Sequence, residues 1–403
     1  MVVCSRSLIQ TDVGVALGGL ERGAATLRSL DDTDILGAWS RTVETFLDPS
    51  SEVRKRLAPE LVRSCRLSPE GLTAALDSVL RGVAAGPATA LARSARELPL
   101  GGPPVGLILA SNIPGLVVQQ LLPGLLRRRP LLIKSSSREP HFAPAFVGTL
   151  CRVEPRLREA LAVLVWEGGD PRFEVPLADA VGRGAVARVI AYGGGPAMDD
   201  LRRRLGERLV AFGPKLSLAV VGGDVDPTAV AEGLARDVAL FDQRGCLSVQ
   251  AVYVEGDGRP LAEALASALD RRATAWPPGE PLDDELGAVR QVRDEAVMAG
   301  GWVAPLEIHR GTVILDPRDA LRPSPGLRTV RVHGVDDLRR LPFLGSPVEG
   351  ALQGVALAGR SAEALVPDLE ALGVSRMTAP GSLQTPDASW ANGGLSPLEV
   401  FDI

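Results

Sequence analysis

Metal centres and disulfide frameworks are what this 403-residue sequence has least material for. Its four cysteines, Cys4, Cys65, Cys151 and Cys246, and its three histidines, His141, His309 and His333, lie far apart. No CxxC pair or Cys/His cluster occurs, so neither a disulfide scaffold nor a metal site is expected. Scattered free cysteines suit a reducing compartment. The opening Met1-Val2-Val3-Cys4-Ser5-Arg6 has no signal-peptide build, which makes a cytoplasmic location the expectation. No apolar run reaches about 18 residues without charge or proline, so no membrane span is expected. An excess of basic charge is also missing. With 44 Lys and Arg against 49 Asp and Glu, the net charge is −5, which argues against a nucleic-acid partner. Aromatic residues are only 4%, which argues against an aromatic-lined substrate tunnel. Internal repeats and low-complexity segments are absent.

What is present is core. A 45% hydrophobic fraction over this length suggests two or three domains. Residues 1 to about 100 read as helices, with apolar residues at three- and four-residue spacing over 35–47 and 52–63. Pro59 is expected to interrupt the second of these. Ser68-Pro69-Glu70 reads as a helix start, with Ser68 as N-cap. From Val105 the pattern changes. Short apolar strands at 105–110, 130–134, 161–166, 188–192 and 218–221 alternate with helices, which implies a parallel sheet covered on both faces. A second strand–helix series follows from Val249, and 380–403 reads as an extended tail over the surface. The expected fold class is α/β: a Rossmann-type parallel sheet domain plus an α/β catalytic domain. Its divisions are 1–100 (helical part of the cofactor domain), 101–213 (dinucleotide-binding sheet), 214–375 (catalytic) and 376–403 (tail).

Five positions at strand ends and junctions carry the chemistry. Cys246 sits in Phe241-Asp242-Gln243-Arg244-Gly245-Cys246-Leu247-Ser248, a polar junction between a helix and a strand. Arg244 nearby is expected to favour the thiolate, and Gly245 to allow a tight turn. The plainer reading is a small buried hydrophobe. Asn112 closes the first strand in Ser111-Asn112-Ile113-Pro114. There it can donate to an oxyanion, or simply cap a helix. Lys134 ends the second strand before Ser135-Ser136-Ser137, a run that suits ribose and phosphate oxygens or merely a solvated terminus. Gly193-Gly194-Gly195 turns from strand to helix and permits close approach of a phosphate, or is a plain flexible turn. Ala211-Phe212-Gly213-Pro214-Lys215 precedes the fifth strand. The Arg127-Arg128-Arg129 run reads either as charge at a helix C-terminus or as part of a polyanion site.

The order of these features resembles the aldehyde dehydrogenase superfamily. It runs from the Asn strand end and the Lys strand end, through the glycine turn and Gly-Pro-Lys, to the Cys. The resemblance implies an oxyanion hole from Asn112 and the Cys246 N–H. It implies adenosine-side contacts from Lys134, Ser136 and Ser137, and pyrophosphate contacts from Gly193, Gly194 and Gly195. Two departures matter. The superfamily's water-activating Glu is Ala211 here, and its ribose-binding Glu is Ser137, which favours NADPH over NADH. The wording Asp242-Gln243-Arg244-Gly245-Cys246-Leu247-Ser248-Val249-Gln250, with Gly213-Pro214-Lys215-Leu216-Ser217 and Gly381-Ser382-Leu383-Gln384-Thr385-Pro386, is similar to the fatty acyl-CoA reductase branch found in bacterial luminescence. That branch implies NADPH-dependent reduction of an acyl-CoA or acyl-carrier thioester to an aldehyde through a Cys246 acyl-enzyme. A CoA-acylating aldehyde dehydrogenase, a glutamyl-phosphate reductase-like enzyme and a non-catalytic subunit of this fold remain open. The hairpin arm that many aldehyde dehydrogenases use to oligomerise has no counterpart between Arg96 and Val105. A homo-oligomer or a pathway partner therefore stays undecided.

Overall fold

The computed structural model describes residues 9–10, 12–341 and 351–402; Cys4 lies outside them. Two sheets organise the chain. The first joins β1 (Ile9–Gln10), β2 (Val105–Ile108), β3 (Leu131–Ser136), β4 (Leu161–Trp166), β5 (Arg188–Tyr192) and β6 (Leu209–Phe212) in the order β1-β4-β3-β2-β5-β6. All its pairings are parallel. The second joins β7 (Leu216–Val221), β8 (Val249–Glu255), β9 (Trp302–Val303), β10 (Thr312–Leu315), β11 (Thr329–Val335), β12 (Leu352–Ala358) and β13 (Arg376–Thr378) in the order β13-β12-β7-β8-β11-β10-β9. Only the short edge strand β9 runs antiparallel there.

The strand runs are apolar throughout because both faces are covered. On β3, Leu131 and Ile133 pack into one helical layer and Leu132 into the other. The first layer holds the helices Asp32–Leu47, Pro69–Gly82 and Phe142–Val153, with a Trp39, Phe46, Phe142 and Phe146 cluster at their junction. The second holds Val13–Ser29, Pro171–Gly182 and Pro196–Leu205. The order of the first sheet reverses at β2, whose neighbours are β3 on one side and β5 on the other. Crevices of this kind, beyond the carboxyl ends of the strands, hold ligands in open parallel sheets.

Several expectations change. The helix Glu52–Cys65 runs through Pro59 without a break. Pro59 and Lys55, whose carbonyl loses its partner, both face solvent, so water replaces the missing bond. Ser68 does cap Pro69–Gly82, accepting the Gly71 N–H at 3.0 Å. The strand β6 went unread because it is a short edge strand with alternating burial. Two short helices, Arg360–Glu363 and Val366–Ala371, follow β12.

The Arg127-Arg128-Arg129 run keeps the helix-end reading at Arg128, which donates to the Leu125 and Leu126 carbonyls closing the helix Val118–Leu126 at 3.2 and 2.8 Å, and the rest of the run has another role. All three side chains are buried. Arg127 donates to the carbonyls of Pro99 and Leu398 and pairs with Asp402. Arg128 reaches the Leu30 carbonyl at 3.0 Å and Asp32 at 2.7 Å. Arg129 donates to the Pro103 carbonyl at 3.1 Å. The run clamps the N-terminal helices and the C-terminal segment to the first sheet. That segment is not a surface tail. Leu383, Val400 and Phe401 are fully buried, and the stretch lies against the site described next.

Candidate active site

A cleft of about 390 Å³ opens where the carboxyl ends of β2 and β5 face the loop bearing Cys246. Asn112, Gly193 and Cys246 all line it, drawn from three separate parts of the chain. Residues of the C-terminal stretch, among them Gln384, Trp390 and Asn392, form another wall. The low aromatic content misled at this point. Tyr192 and Phe212, stacked with centroids 4.9 Å apart, line the cleft together with Phe241 and Trp390. A few aromatics concentrated in one place suffice.

The Cys246 loop is held by its neighbours rather than by its own flexibility. Phe241, Asp242 and Gln243 are three consecutive non-glycine residues in the left-handed region, with φ of 58°, 50° and 64°. Each such residue costs roughly 1–2 kcal/mol, so the turn needs external fixing. Asp242 supplies it through a buried ion pair with Arg328, at 2.6 Å, and by accepting the Gly279 N–H at 2.9 Å. Gln243 donates to the carbonyls of Val249 and Thr329 and accepts the Thr329 N–H. Ser217, at a register shift between β7 and β8, donates to the Cys246 carbonyl at 2.8 Å. Gly245 is needed for closeness, not for a left-handed turn. A Cβ there would stand 2.8 Å from Oε1 of Gln384, itself fixed by Ser248 and by the Asp237 carbonyl.

The electrostatics of the thiol differ from the sequence expectation. The Arg244 guanidinium turns away, donating to the carbonyls of Cys65 and Arg66 and standing 3.8 Å from Glu285. It braces the loop and does not activate the thiol. Burial pushes the Cys246 thiol up to about 11. The N–H groups of Cys246 and Leu247, and then the charge of Lys215, pull the other way. Cys65 and Cys151 are buried and pushed further, to about 12. Among the described cysteines, Cys246 is the one that lines the cleft. Asn112 is exposed and directs its amide across the cleft to the Arg244 carbonyl at 3.0 Å. The side chain thus spans from the end of β2 to the cysteine loop instead of capping a helix.

The acyl-CoA reductase (LuxC) family profile matches residues 52–402. The chain belongs to that family. It is similar to a long-chain acyl-protein thioester reductase of Aliivibrio fischeri, 29% identical over 301 residues, covering 73% of this chain and 61% of that one. A second such reductase, from Photobacterium leiognathi, is 27% identical over 303 residues and covers 72% and 61%. The chain spans about 61% of the length of these curated relatives. Among solved structures, it is similar to gamma-glutamyl-gamma-aminobutyraldehyde dehydrogenase of Burkholderia cenocepacia, with TM-score 0.73, 14% identity and coverage of 96% and 84%. An NADP-dependent enzyme of E. coli gives TM-score 0.73, 14% identity and coverage of 96% and 88%. The fold is that of the aldehyde dehydrogenases.

In this LuxC-family chain Ala211 sits half-buried in β6, outside the cleft lining. Among the described residues of the lining, Asp387 is the one carboxylate. Its Oδ1 accepts the Ser389 N–H at 2.8 Å and hydroxyl at 2.6 Å. The position of the superfamily's water-activating Glu thus offers no carboxylate to this cleft. Of the expected cofactor residues, Gly193 lines the cleft and the others lie outside its lining. Lys134 shares the face of Leu132, with its ammonium 5.7 Å from the Trp166 ring centroid. Burial lowers its proton affinity, and Glu174 on the helix Pro171–Gly182 opposes that. Ser135 is spent on the Glu139 carbonyl at 2.9 Å, whereas Ser137 is exposed and Ser136 half-buried, accepting the Arg138 N–H. Gly193 and Gly195 have φ of 151° and 64°, and a Cβ at Gly195 would meet only open space. Gly194 packs against Pro214, where a Cβ would clash at 2.7 Å. Gly195 begins the helix Pro196–Leu205, which no side chain caps. An open, uncapped helix start suits a phosphate.

Sequence reading missed the floor of the cleft. Gln120 donates to the Tyr192 hydroxyl at 2.8 Å, and Gln353 donates to Oδ1 of Asn392 at 2.6 Å. Burial holds the Tyr192 hydroxyl above its ordinary range, and neighbouring Cys246 adds to this. The only signal was Tyr192 itself, a polar aromatic closing an apolar strand.

Proposed function

We propose that this chain reduces an acyl thioester, carried by CoA or by an acyl-carrier protein, to an aldehyde through an acyl-enzyme on Cys246. The observation that carries the reading is the cleft itself. A thiol and two kinds of N–H donor meet there, and Ala211 stands where the superfamily has its water-activating Glu. The Cys246 thiolate attacks the thioester carbonyl, the carbonyl oxygen gains charge, and Asn112 and the Cys246 N–H donate to it. The C–S bond to the carrier breaks and the carrier thiol leaves. A reduced nicotinamide, if bound, would supply the hydride needed to release the acyl group from Cys246 as aldehyde. The aromatic and aliphatic walls exclude water meanwhile.

The cofactor assigned is NADPH, held by Lys134, Ser136 and Ser137 on the adenosine side and by Gly193, Gly194 and Gly195 at the helix start. Lys134 provides the charge a 2′-phosphate needs, and the serine run brings no carboxylate against it. In this proposal residues 1–213 hold the cofactor, 214–375 carry the cysteine, and 376–403 close the cleft. A cytoplasmic setting belongs to the same reading. No helix among the described residues is long and apolar enough to cross a membrane. The activity named for the relatives, reduction of long-chain acyl-protein thioesters, agrees with it.

The test is a substrate panel of acyl-CoAs, acyl-carrier thioesters and acyl phosphates with NADPH and an aldehyde trap. Thioester-dependent NADPH oxidation with trapped aldehyde is the expected result. Turnover of acyl phosphates alone, or of none, contradicts the reading.

A further inference from the structure

The cleft is unusually rich in neutral amides, and nearly all are consumed by the fold. Gln243 bonds Val249 and Thr329, Gln384 bonds Ser248 and the Asp237 carbonyl, and Gln353 bonds Asn392. Gln120 differs from these. It is 97% buried, it lines the cleft, and its Nε2 is committed to Tyr192, yet its Oε1 has no hydrogen-bond partner. Tyr192 is the complement. Its oxygen accepts from Gln120 at 2.8 Å. That bond leaves the phenol's own O–H to point elsewhere. An acceptor and a donor thus stand side by side, in a wall otherwise built of Phe212, Leu116 and Leu395 and close to Cys246.

We infer that the acyl group this site is built for carries a hydroxyl near its thioester carbon, received by Gln120 Oε1 and the Tyr192 O–H. A hydroxyl donates one hydrogen bond and accepts others, so it satisfies both groups at once. A plain alkyl chain satisfies neither, and a buried acceptor left unpaired is where a site built for hydrogen bonding discriminates most. The inference rests on the acyl-thioester reading and specifies the acyl class within it.

The test uses the full chain and two probe pairs. The first pair is an alkan-2-one and its 4-hydroxy derivative of equal length, methyl-ketone mimics of plain and 3-hydroxyacyl thioesters. Their dissociation constants are read from protection of Cys246 against iodoacetamide. The second pair is the corresponding CoA thioesters, read as kcat/KM with NADPH. The hydroxylated member of each pair is expected to be favoured by roughly 10- to 100-fold. Gln120→Leu and, independently, Tyr192→Phe should bring the ratio to near one, with thermal melts verifying that each variant folds. Equal protection by both ketones, no protection by either, or a preference that survives in both variants overturns the inference. Selective protection by the hydroxyketone with no reduction of either thioester leaves it standing and removes the reductase reading instead.

Discussion

At the residue scale the thiol is the point on which the chemistry turns, and its surroundings set a pH dependence. Burial raises the Cys246 thiol to about 11, so at neutral pH the free protein holds mostly the neutral form. The thiolate fraction then rises tenfold per pH unit until it nears that value. Alkylation by iodoacetamide should follow it, climbing steadily from pH 7 to pH 10 without a plateau. A plateau near pH 7 would mean an activating partner that the surroundings of Cys246 do not provide. Cys246→Ser should abolish aldehyde formation while leaving NADPH binding intact. Asn112→Ala should lower kcat by about 10²–10³-fold, the usual cost of one oxyanion donor. A loss confined to melting temperature would return Asn112 to a structural role. The sequence was informative at this scale about which residues gather, since Asn112, Gly193 and Cys246 do share one cleft. It was misleading about how they are tuned. Arg244 stands two positions from the thiol, yet its direction is set by Cys65, Arg66 and Glu285, which lie far away in the chain.

At the element scale the C-terminal stretch is held by a buried acid. Asp237 accepts the N–H groups of Gly381 and Leu383, and the Asp237 carbonyl takes Nε2 of Gln384. Burial raises the carboxyl from 3.8 to about 6. The folded state therefore binds this proton more tightly than the unfolded chain does. By linkage, the group's contribution to stability is largest below pH 4, falls as pH rises to about 6, and is flat above that. Two pH units correspond to roughly 3 kcal/mol at most. Asp237→Asn carries a constant offset from its altered hydrogen bonding but no such slope. Relative to wild type, the variant should thus gain melting temperature between pH 4 and pH 7. Parallel curves for the two proteins would show that the carboxyl stays ionised in the fold. Elements with strong local patterns were legible from sequence. The strands β4 and β5 were placed with their observed ends, because buried runs bounded by polar residues leave little choice. The strand β6 and the buried course of residues 380–402 were not legible. Their positions follow from bonds to Phe212, Asp237 and Arg127, partners that no local window contains.

At the scale of the whole molecule, the first sheet separates the two regions that the proposed reaction would use. The Lys134 side chain belongs to the helical layer of Trp166 and Glu174, whereas Tyr192 and the cysteine cleft belong to the other layer. The glycine turn after β5 is where the two regions meet. Cofactor preference should accordingly change without disturbing the cleft. Ser137→Glu is expected to shift competing titrations from NADPH toward NADH, because the new carboxylate repels a 2′-phosphate, while Cys246 alkylation stays as in wild type. Equal binding of both cofactors by wild type, unchanged by the substitution, would remove the Lys134 assignment. The central claim, covalent capture of the acyl group by Cys246, has a more direct test. Wild-type protein and Cys246→Ser are exposed to an acyl-CoA without NADPH, and their intact masses are measured. Wild type should gain one acyl group, localised to Cys246 and discharged as aldehyde when NADPH is added, and the variant should gain none. An unmodified wild-type mass, or an acyl group carried equally by the variant, contradicts the mechanism.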